Sequence, residues 1–594
     1  MSAPNDHADD RLSDFTRDRR LIVLSGMAVV VGVMSAGVAW ALLKLIAVFT
    51  NLAFHHTLSA AASDPDGHLG PWLIAVPVIG GLVIGVAARY GTDRIRGHGI
   101  PEAIEAILFG RSRMDAKVAI LKPLTSAIAI GTGGPFGAEG PIIMTGGAFA
   151  SLFAQRFHLS GNERKTLLVA GAVGGMSAVF GTPLAAVMLA VELLLFEWRP
   201  RSFVPVAVSA AVAGALRVPL LGPGPLFPVA PHAALNGVGL AAALGLGLVC
   251  GLGSGALTAL VYGFEDAFQR LPIHWMWWPA LGGIAVGVGG LIEPRALGVG
   301  YGNIHLLLQG GLQGGELVKL LIVKALIWSI ALGSGTSGGV LAPLLMMGGA
   351  LGAACTPWLP VHDFGLWALI GMAAMMGGTM RSPLTAIAFA LELTHDMNLL
   401  PALLVACIAA HGFTVLALRR SILTEKVARR GKHVMREYAV DPLLMVRVSE
   451  VMDRDVQTLR AETPLVELAA RLLKNDPGVT HRDGLVLVDR RGAPVGMVTR
   501  GDVMAALEVN PTPDIPVLDA GSTDLIVAYP DETLHDAAMR MVRHGVGRLP
   551  VVSREHEHML LGYVGRPEVL SARLRTIEDE HVRESGWLDK AEKN

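Results

Sequence analysis

At 594 residues the chain is longer than one ordinary domain. Hydrophobic residues are 52% and charged ones 17%, against about 45–50% and 25% in typical soluble domains. That balance excludes a purely water-soluble globule, and 71 glycines, roughly 12% against a usual ~7%, suit helices packed closely in a membrane. The net charge of −1 points to no partner, and no nucleic-acid partner is expected. Cys250, Cys355 and Cys407 sit singly in apolar surroundings, so neither a disulfide framework nor a zinc motif is expected.

Residues 1–20 form a polar tail, with Arg11, Arg17, Arg19 and Arg20 just before the first apolar run. That run, Leu21 to about Phe54, exceeds the ~20 residues needed to span a bilayer. It is too long for a signal-peptide core, and no small-residue cleavage pattern follows it. The arginines favour a cytoplasmic N-terminus. Apolar runs recur to about residue 418, many broken by Gly or Pro, so hydropathy alone does not count the crossings.

Gly97–Glu102 reads GHGIPE. Glu102 is predicted in the first turn of the helix that follows, where a carboxylate suits the dipole. His98 either points to water or caps that helix, or it faces an anion. An imidazole donates one hydrogen bond and, once protonated, adds positive charge, so this second reading predicts pH-dependent anion affinity.

Gly131–Pro141, GTGGPFGAEGP, lies inside a long apolar tract. A charge near the bilayer centre costs ~3 kcal/mol by insertion scales, yet Glu139 sits there. The glycines free the backbone, and Pro141 suits a first helical turn, where its missing N–H is not needed. The stretch therefore predicts a loop feeding a helix N-terminus at membrane depth, a place that favours anions. Irregular backbone at that depth is tolerated only where protein buries it or it lines a cavity. A glycine-packed helix contact with one stray acid is the plainer reading, and the cost of the acid weighs against it.

A second stretch, Gly333–Pro343 (GSGTSGGVLAP), repeats the first. Shifted by 202 positions, Gly131, Gly133, Gly137 and Pro141 meet Gly333, Gly335, Gly339 and Pro343. A further pair lies 200 apart, with Pro183, Leu184, Glu192 and Leu193 recurring as Pro383, Leu384, Glu392 and Leu393. Interrupted segments at matching places in two halves point to a transporter repeat. If each half crosses an odd number of times, the halves are inverted, and two broken helices approach one midplane site from opposite sides.

The stretches GHGIPE (97–102), GAEGP (137–141) and GGVLAP (338–343) resemble the three anion-pathway motifs of the CLC chloride channel and transporter family, over about residues 20–430. The resemblance implies an α-helical polytopic membrane protein, a homodimer with one anion pathway per subunit, and two inverted halves, about 21–235 and 236–418. Chloride and related anions would be the cargo, with protons where transport is coupled, and no cofactor would be required. Glu139 matches the family's gating glutamate. The anion-binding positions implied are His98, Gly99, Ile100, Gly137, Ala138, Glu139, Gly140, Gly339, Val340, Leu341 and Leu423. Three departures stand out. His98 replaces a serine whose hydroxyl touches the anion. Leu423 replaces a tyrosine facing the inner site, and Tyr438 in the linker is a poor substitute. Leu193 replaces the second of two glutamates, the proton relay of coupled members. Leu193 thus favours a gated passive channel over an exchanger, and the recurrence of Glu192 as Glu392 favours a structural role for both.

Arg419, Arg420, Lys426, Arg429, Arg430 and Lys432 open a basic linker, 419–447, which places the second terminus on the cytoplasmic side of what is expected to be a bacterial inner membrane. Residues 448–510 and 514–575 then read as two soluble α/β units, with VGMVTRGDV (495–503) in the first and LGYVGRPEV in the second, before a tail, 576–594. They resemble a tandem CBS pair, which implies adenine nucleotide at Thr499 and Asp502, the second unit having Gly565 and Glu568 instead. A dimerising and stiffening module without ligand is the alternative. A membrane-embedded enzyme regulated by such a pair would need an H-E-x-x-H helix or a Walker loop, and neither occurs, so no enzyme is expected.

Overall fold

The computed structural model describes residues 20–65, 67–432, 442–444, 446–476, 479, 484–509, 514–556, 559–581 and 583–584. Arg11, Arg17, Arg19 and Tyr438 lie outside them. The chain divides into two units, one of Met1–Tyr438 with Arg583–Asn594, the other of Ala439–Val582.

The first unit is helical. Its first half runs α1 (Arg20–Thr50), α2 (Ala75–Tyr90), α3 (Ile100–Leu108), α4 (Ala116–Gly131), α5 (Glu139–Ala154), α6 (Gly161–Phe180), α7 (Pro183–Leu189) and α8 (Pro200–Leu221). The second runs α9 (Gly237–Gln269), α10 (Trp278–Ile292), α11 (Tyr301–Leu308), α12 (Gly315–Gly333), α13 (Leu341–Cys355), α14 (Phe364–Met380), α15 (Pro383–Thr394) and α16 (Leu400–Ala417), followed by α17 (Ile422–Arg429). Among the described residues seven helical stretches are long and apolar enough to cross a membrane. Two of the others, α4 and α12, stop at glycine. Helix α4 ends at Gly131, and Gly133 then takes φ 92°; α12 ends at Gly333, and Gly335 takes φ 83°.

The halves pack alike. Helices α1, α6 and α8 form one mutually packed triad, and α9, α14 and α16 form its counterpart. Helices α2 and α10 cross backbone to backbone. A Cβ on Gly81 would strike Pro279, and one on Gly283 would lie 2.5 Å from the Pro77 carbonyl. Gly81 and Gly283 are 202 positions apart, as are Pro77 and Pro279, so the repeat crosses itself at its own glycines. Residues of α14 are buried from Gly365 to Met380, whereas Ile22 and Val33 of α1 and Leu252 of α9 stand exposed, as a lipid-facing surface requires.

The second unit repeats as well. In its first part β1 (Thr458–Arg460) pairs parallel with β2 (Gly484–Val488), which pairs antiparallel with β3 (Pro494–Thr499); α18 (Leu465–Leu473) and α19 (Arg500–Val509) flank them. In the second part, α20 (Leu534–His544) precedes the antiparallel pair β4 (Arg548–Val552) and β5 (Leu560–Gly565), and α21 (Arg566–His581) follows. Each part has its own apolar core, one around Leu468, Leu487 and Val503, the other around Leu534, Val551 and Val564.

Candidate anion pathway

Two broken helices meet at the centre of the first unit. The loop before α5 and the loop before α13 bind each other: Gly137 N–H donates to Gly339 O at 3.2 Å, and Gly339 N–H donates to Gly137 O at 2.8 Å. The Ser126 hydroxyl, on α4, lies 2.8 Å from that of Ser337 in the loop before α13. The donors of Gly137 and Gly339 are thereby used on one another.

Glu139 is the first residue of α5, but its carboxylate serves the other helix. Its Oε1 accepts the N–H of Ala342 at 3.0 Å, in the first turn of α13, and the Leu341 N–H faces it as well. The side chain is wholly buried, and Oε2 has no hydrogen-bond partner. No side chain fits at the neighbouring glycines. A Cβ on Gly137 would overlap the Glu139 carboxylate, and one on Gly339 would lie 2.7 Å from Oε1. An anionic group on a helix N-terminus is held by unpaired N–H groups and by the dipole.

On the face that carries the basic run, GHGIPE forms the turn into α3. Gly97 and Gly99 take φ 90° and 89°, and Glu102 Oε2 accepts the Gly99 N–H at 2.9 Å, closing the N-terminus of α3. His98 is 2% exposed, and its Nδ1 has no hydrogen-bond partner. The charged groups that act on its ring are Lys426, Glu102, Lys122 and Arg430. An added positive charge on His98 would stand buried beside other cations, so the titrating charge expected there from the residue type does not fit this setting. A neutral N–H donor does.

Lys122 and Lys324 belong to the site, and sequence reasoning missed them. Both are fully buried. Lys122 Nζ donates to Ile95 O and Gly97 O, each at 2.8 Å, and Lys324 Nζ donates to Ala296 O and Gly298 O, each at 2.9 Å. They lie 202 apart, like the glycines, and each clamps the turn before a short helix, GHGIPE before α3 and its counterpart GVGYGN (298–303) before α11. A lysine inside an apolar tract was the available signal.

Leu193 is wholly buried in the π-helical turn Ala190–Leu195. Leu423, in the first turn of α17, is also buried. The Tyr262 hydroxyl of α9 donates to the carbonyl of Ile422, next to Leu423, so a phenol stands near that position but is spent on the backbone.

In the second unit, Thr499 and Asp502 are joined at the start of α19. Asp502 Oδ2 accepts the Thr499 N–H at 2.8 Å and its hydroxyl at 2.7 Å. A cavity of about 110 Å³ lies beside Thr499, lined also by Arg500, Asn475, Leu485 and Val498. In the second part Glu568 accepts the Gly565 N–H at 2.8 Å, which keeps the turn and lacks the hydroxyl.

Crossed half-length repeats, with a buried carboxylate seated on the opposite half's helix N-terminus, define a multi-pass membrane protein of the anion-transport class. The chain belongs to the voltage-gated chloride channel family, whose model, described as "Voltage gated chloride channel", matches residues 80–414, more than half of the chain. The CBS domain model matches residues 448–509 and 517–575. The chain is 29% identical over 411 residues to a voltage-gated ClC-type chloride channel, ClcB, of Citrobacter koseri, covering 66% of this chain and 95% of that protein. It is 29% identical over 418 residues to an H+/Cl− exchange transporter, ClcA, of Klebsiella pneumoniae, covering 66% and 86%. Its fold is like that of a slow cyanobacterial Cl−/H+ antiporter, with TM-score 0.60, 21% identity, and coverage of 70% of this chain and 98% of that one. It is also like that of a eukaryotic CLC transporter, with TM-score 0.61, 18% identity, and coverage of 92% and 98%. At these identities the solved structures speak for the fold alone.

Proposed function

We propose that the chain carries chloride and related anions across a bacterial inner membrane, as a homodimer with one Glu139-gated pathway per subunit and both termini cytoplasmic. The observation that carries this reading is the Glu139 carboxylate on the Ala342 N–H at the start of α13. Ionised, it holds the place an anion would take; protonated, it loses the charge that keeps it there, and the place is freed. His98 and the backbone around Ile100, Ala138, Gly140, Val340 and Leu341 line the rest of the path. Transport itself needs no cofactor, and no enzymatic chemistry is assigned.

Leu193 favours weak or absent proton coupling, since a leucine carries no proton and Glu192 is occupied elsewhere in the fold. The CBS pair binds an adenine nucleotide through Thr499 and Asp502, with a dimerising and stiffening module as the second reading. The deciding experiment is reversal potential in liposomes under crossed chloride and pH gradients. The expected potential follows the chloride gradient alone. Robust proton uptake driven by chloride contradicts weak coupling, and absence of chloride flux contradicts the transport reading.

A further inference from the structure

We propose that Lys426 is an anion ligand at the end of the pathway that opens on the basic face, in place of the hydroxyl absent at position 423. The inference rests on the chloride-transport reading above and adds a residue to it.

Leu423 and Lys426 lie three apart on α17, hence on one face of the helix. Leu423 is sealed in the core, while Lys426 reaches the turn itself: a Cβ built on Gly97 would collide with its ammonium. The residue after Gly97 is His98, whose Nδ1 is buried and unpartnered. The Lys426 side chain is 14% exposed and lines a cavity of about 780 Å³, shared with Arg96, Arg430, Lys432, Glu102 and Glu105.

Around this turn the cations Arg96, Lys122, Lys426, Arg430 and Lys432 outnumber the carboxylates Glu102 and Glu105, together with Glu265, which acts on Arg96. Arg430 contacts both, Glu102 at 3.1 Å and Glu105 at 2.7 Å, and Lys432 holds Glu105 at 2.6 Å. Glu102 also accepts the Gly99 N–H. Lys426 stands 3.7 Å from Glu102, an ion pair too long for a hydrogen bond. Its ammonium therefore brings donors to a turn that already has more positive than negative charge. Buried charge is stable when it is paired and hydrogen-bonded, and a chloride ion between Lys426 and His98 supplies the close partner that Glu102, at 3.7 Å, does not.

The hydroxyl of the family pattern and the ammonium found here do the same work with different strength. Each donates to the anion in a charge-assisted contact, and the ammonium adds a full positive charge of its own. The basic cavity then collects anions before they reach Glu139.

The test is chloride titration by calorimetry on the full-length protein in detergent. Lys426→Met is expected to weaken chloride binding about tenfold, the value of one charge-assisted hydrogen bond. Lys426→Arg keeps affinity near that of the native chain, and adding Leu423→Tyr to Lys426→Met recovers part of the loss. Should Lys426→Met fail to give a monodisperse protein, Lys426→Gln, which keeps a polar chain of similar reach without the charge, carries the same expectation. Binding by the neutral variants within about twofold of native overturns the assignment. If the native chain moves chloride in liposomes and the variants bind it normally, only the role of Lys426 falls. If the native chain moves none, the transport reading falls with it.

Discussion

Glu192 and Glu392 cap each other's helices. Glu192 accepts the N–H groups of Leu384 and Thr385, at 3.1 and 2.8 Å, at the start of α15, and the Thr385 hydroxyl at 2.6 Å. Glu392 accepts those of Leu184 and Ala185, at 2.9 and 2.7 Å, at the start of α7. Each half thus satisfies the orphan donors of the other. Hydrogen bonds to a charged group are worth about 1.5–3 kcal/mol each, so Glu192→Ala or Glu392→Ala is expected to cost roughly 3 kcal/mol or more. Thermal unfolding of the detergent-solubilised protein measures this. Unchanged stability with altered proton movement would point instead to a proton relay at Glu192.

Glu139→Gln removes the charge that seats the side chain on α13. A neutral amide is a weaker ligand for the Ala342 N–H, so anion flux in that variant is expected to be open and insensitive to pH. In the native chain flux should rise as pH falls, because protonation unseats the carboxylate. Fluorescence-detected chloride efflux from pH 4.5 to 7.5 compares the two. A native-like pH profile in Glu139→Gln refutes the gate.

Much of this architecture is legible in the amino-acid sequence. The repeat at 202 positions was visible in glycine and proline, because close backbone approach and helix starts constrain those residue types directly. Glu139 was visible because a carboxylate in an apolar tract is costly. The capping exchange was not, since the partners are 192 and 193 positions apart and nothing local marks a carboxylate as a cap for another half. Lys122 and Lys324 obey the 202 spacing too, yet the glycines and prolines that mark the repeat lie in the loops and helix starts rather than beside them, and Pro123 next to Lys122 has no counterpart beside Lys324. The position of Tyr262 beside Ile422 depends on how α9 packs against the start of α17, which no local pattern encodes.

The CBS pair is expected to bind one nucleotide, not two. Thr499 offers a hydroxyl beside a cavity, and the matching place in the second part is Gly565, with no side chain to offer. Calorimetry of the full-length protein with ATP, ADP and AMP should show a single site, abolished by Thr499→Val. That variant also breaks the hydroxyl contact to Asp502, so its folding is checked by circular dichroism. No heat with any of the three nucleotides leaves the dimerising role as the better account.

His98 carries the last prediction. Its residue type suggested that protonation near the unperturbed value of about 6.5 would tighten anion binding. In the fold the ring is 2% exposed, with Lys426 and Lys122 among the charges that act on it. A second charge has no solvent to spread into there and meets like charges nearby, so the ring is expected to serve as a neutral donor. Glu139→Gln is the background in which to measure this, because its gate no longer titrates. In that background chloride affinity is expected to stay flat from pH 5 to 8. His98→Ser, which keeps a donor, should bind chloride within about threefold of it. His98→Leu, which removes the donor from a buried site, should bind about tenfold more weakly, the scale of one hydrogen bond to a charged partner. Affinity that rises steeply below pH 7 in the Gln background, and loses that rise in His98→Ser, would show that the ring does take up a proton and that its charge belongs to the site.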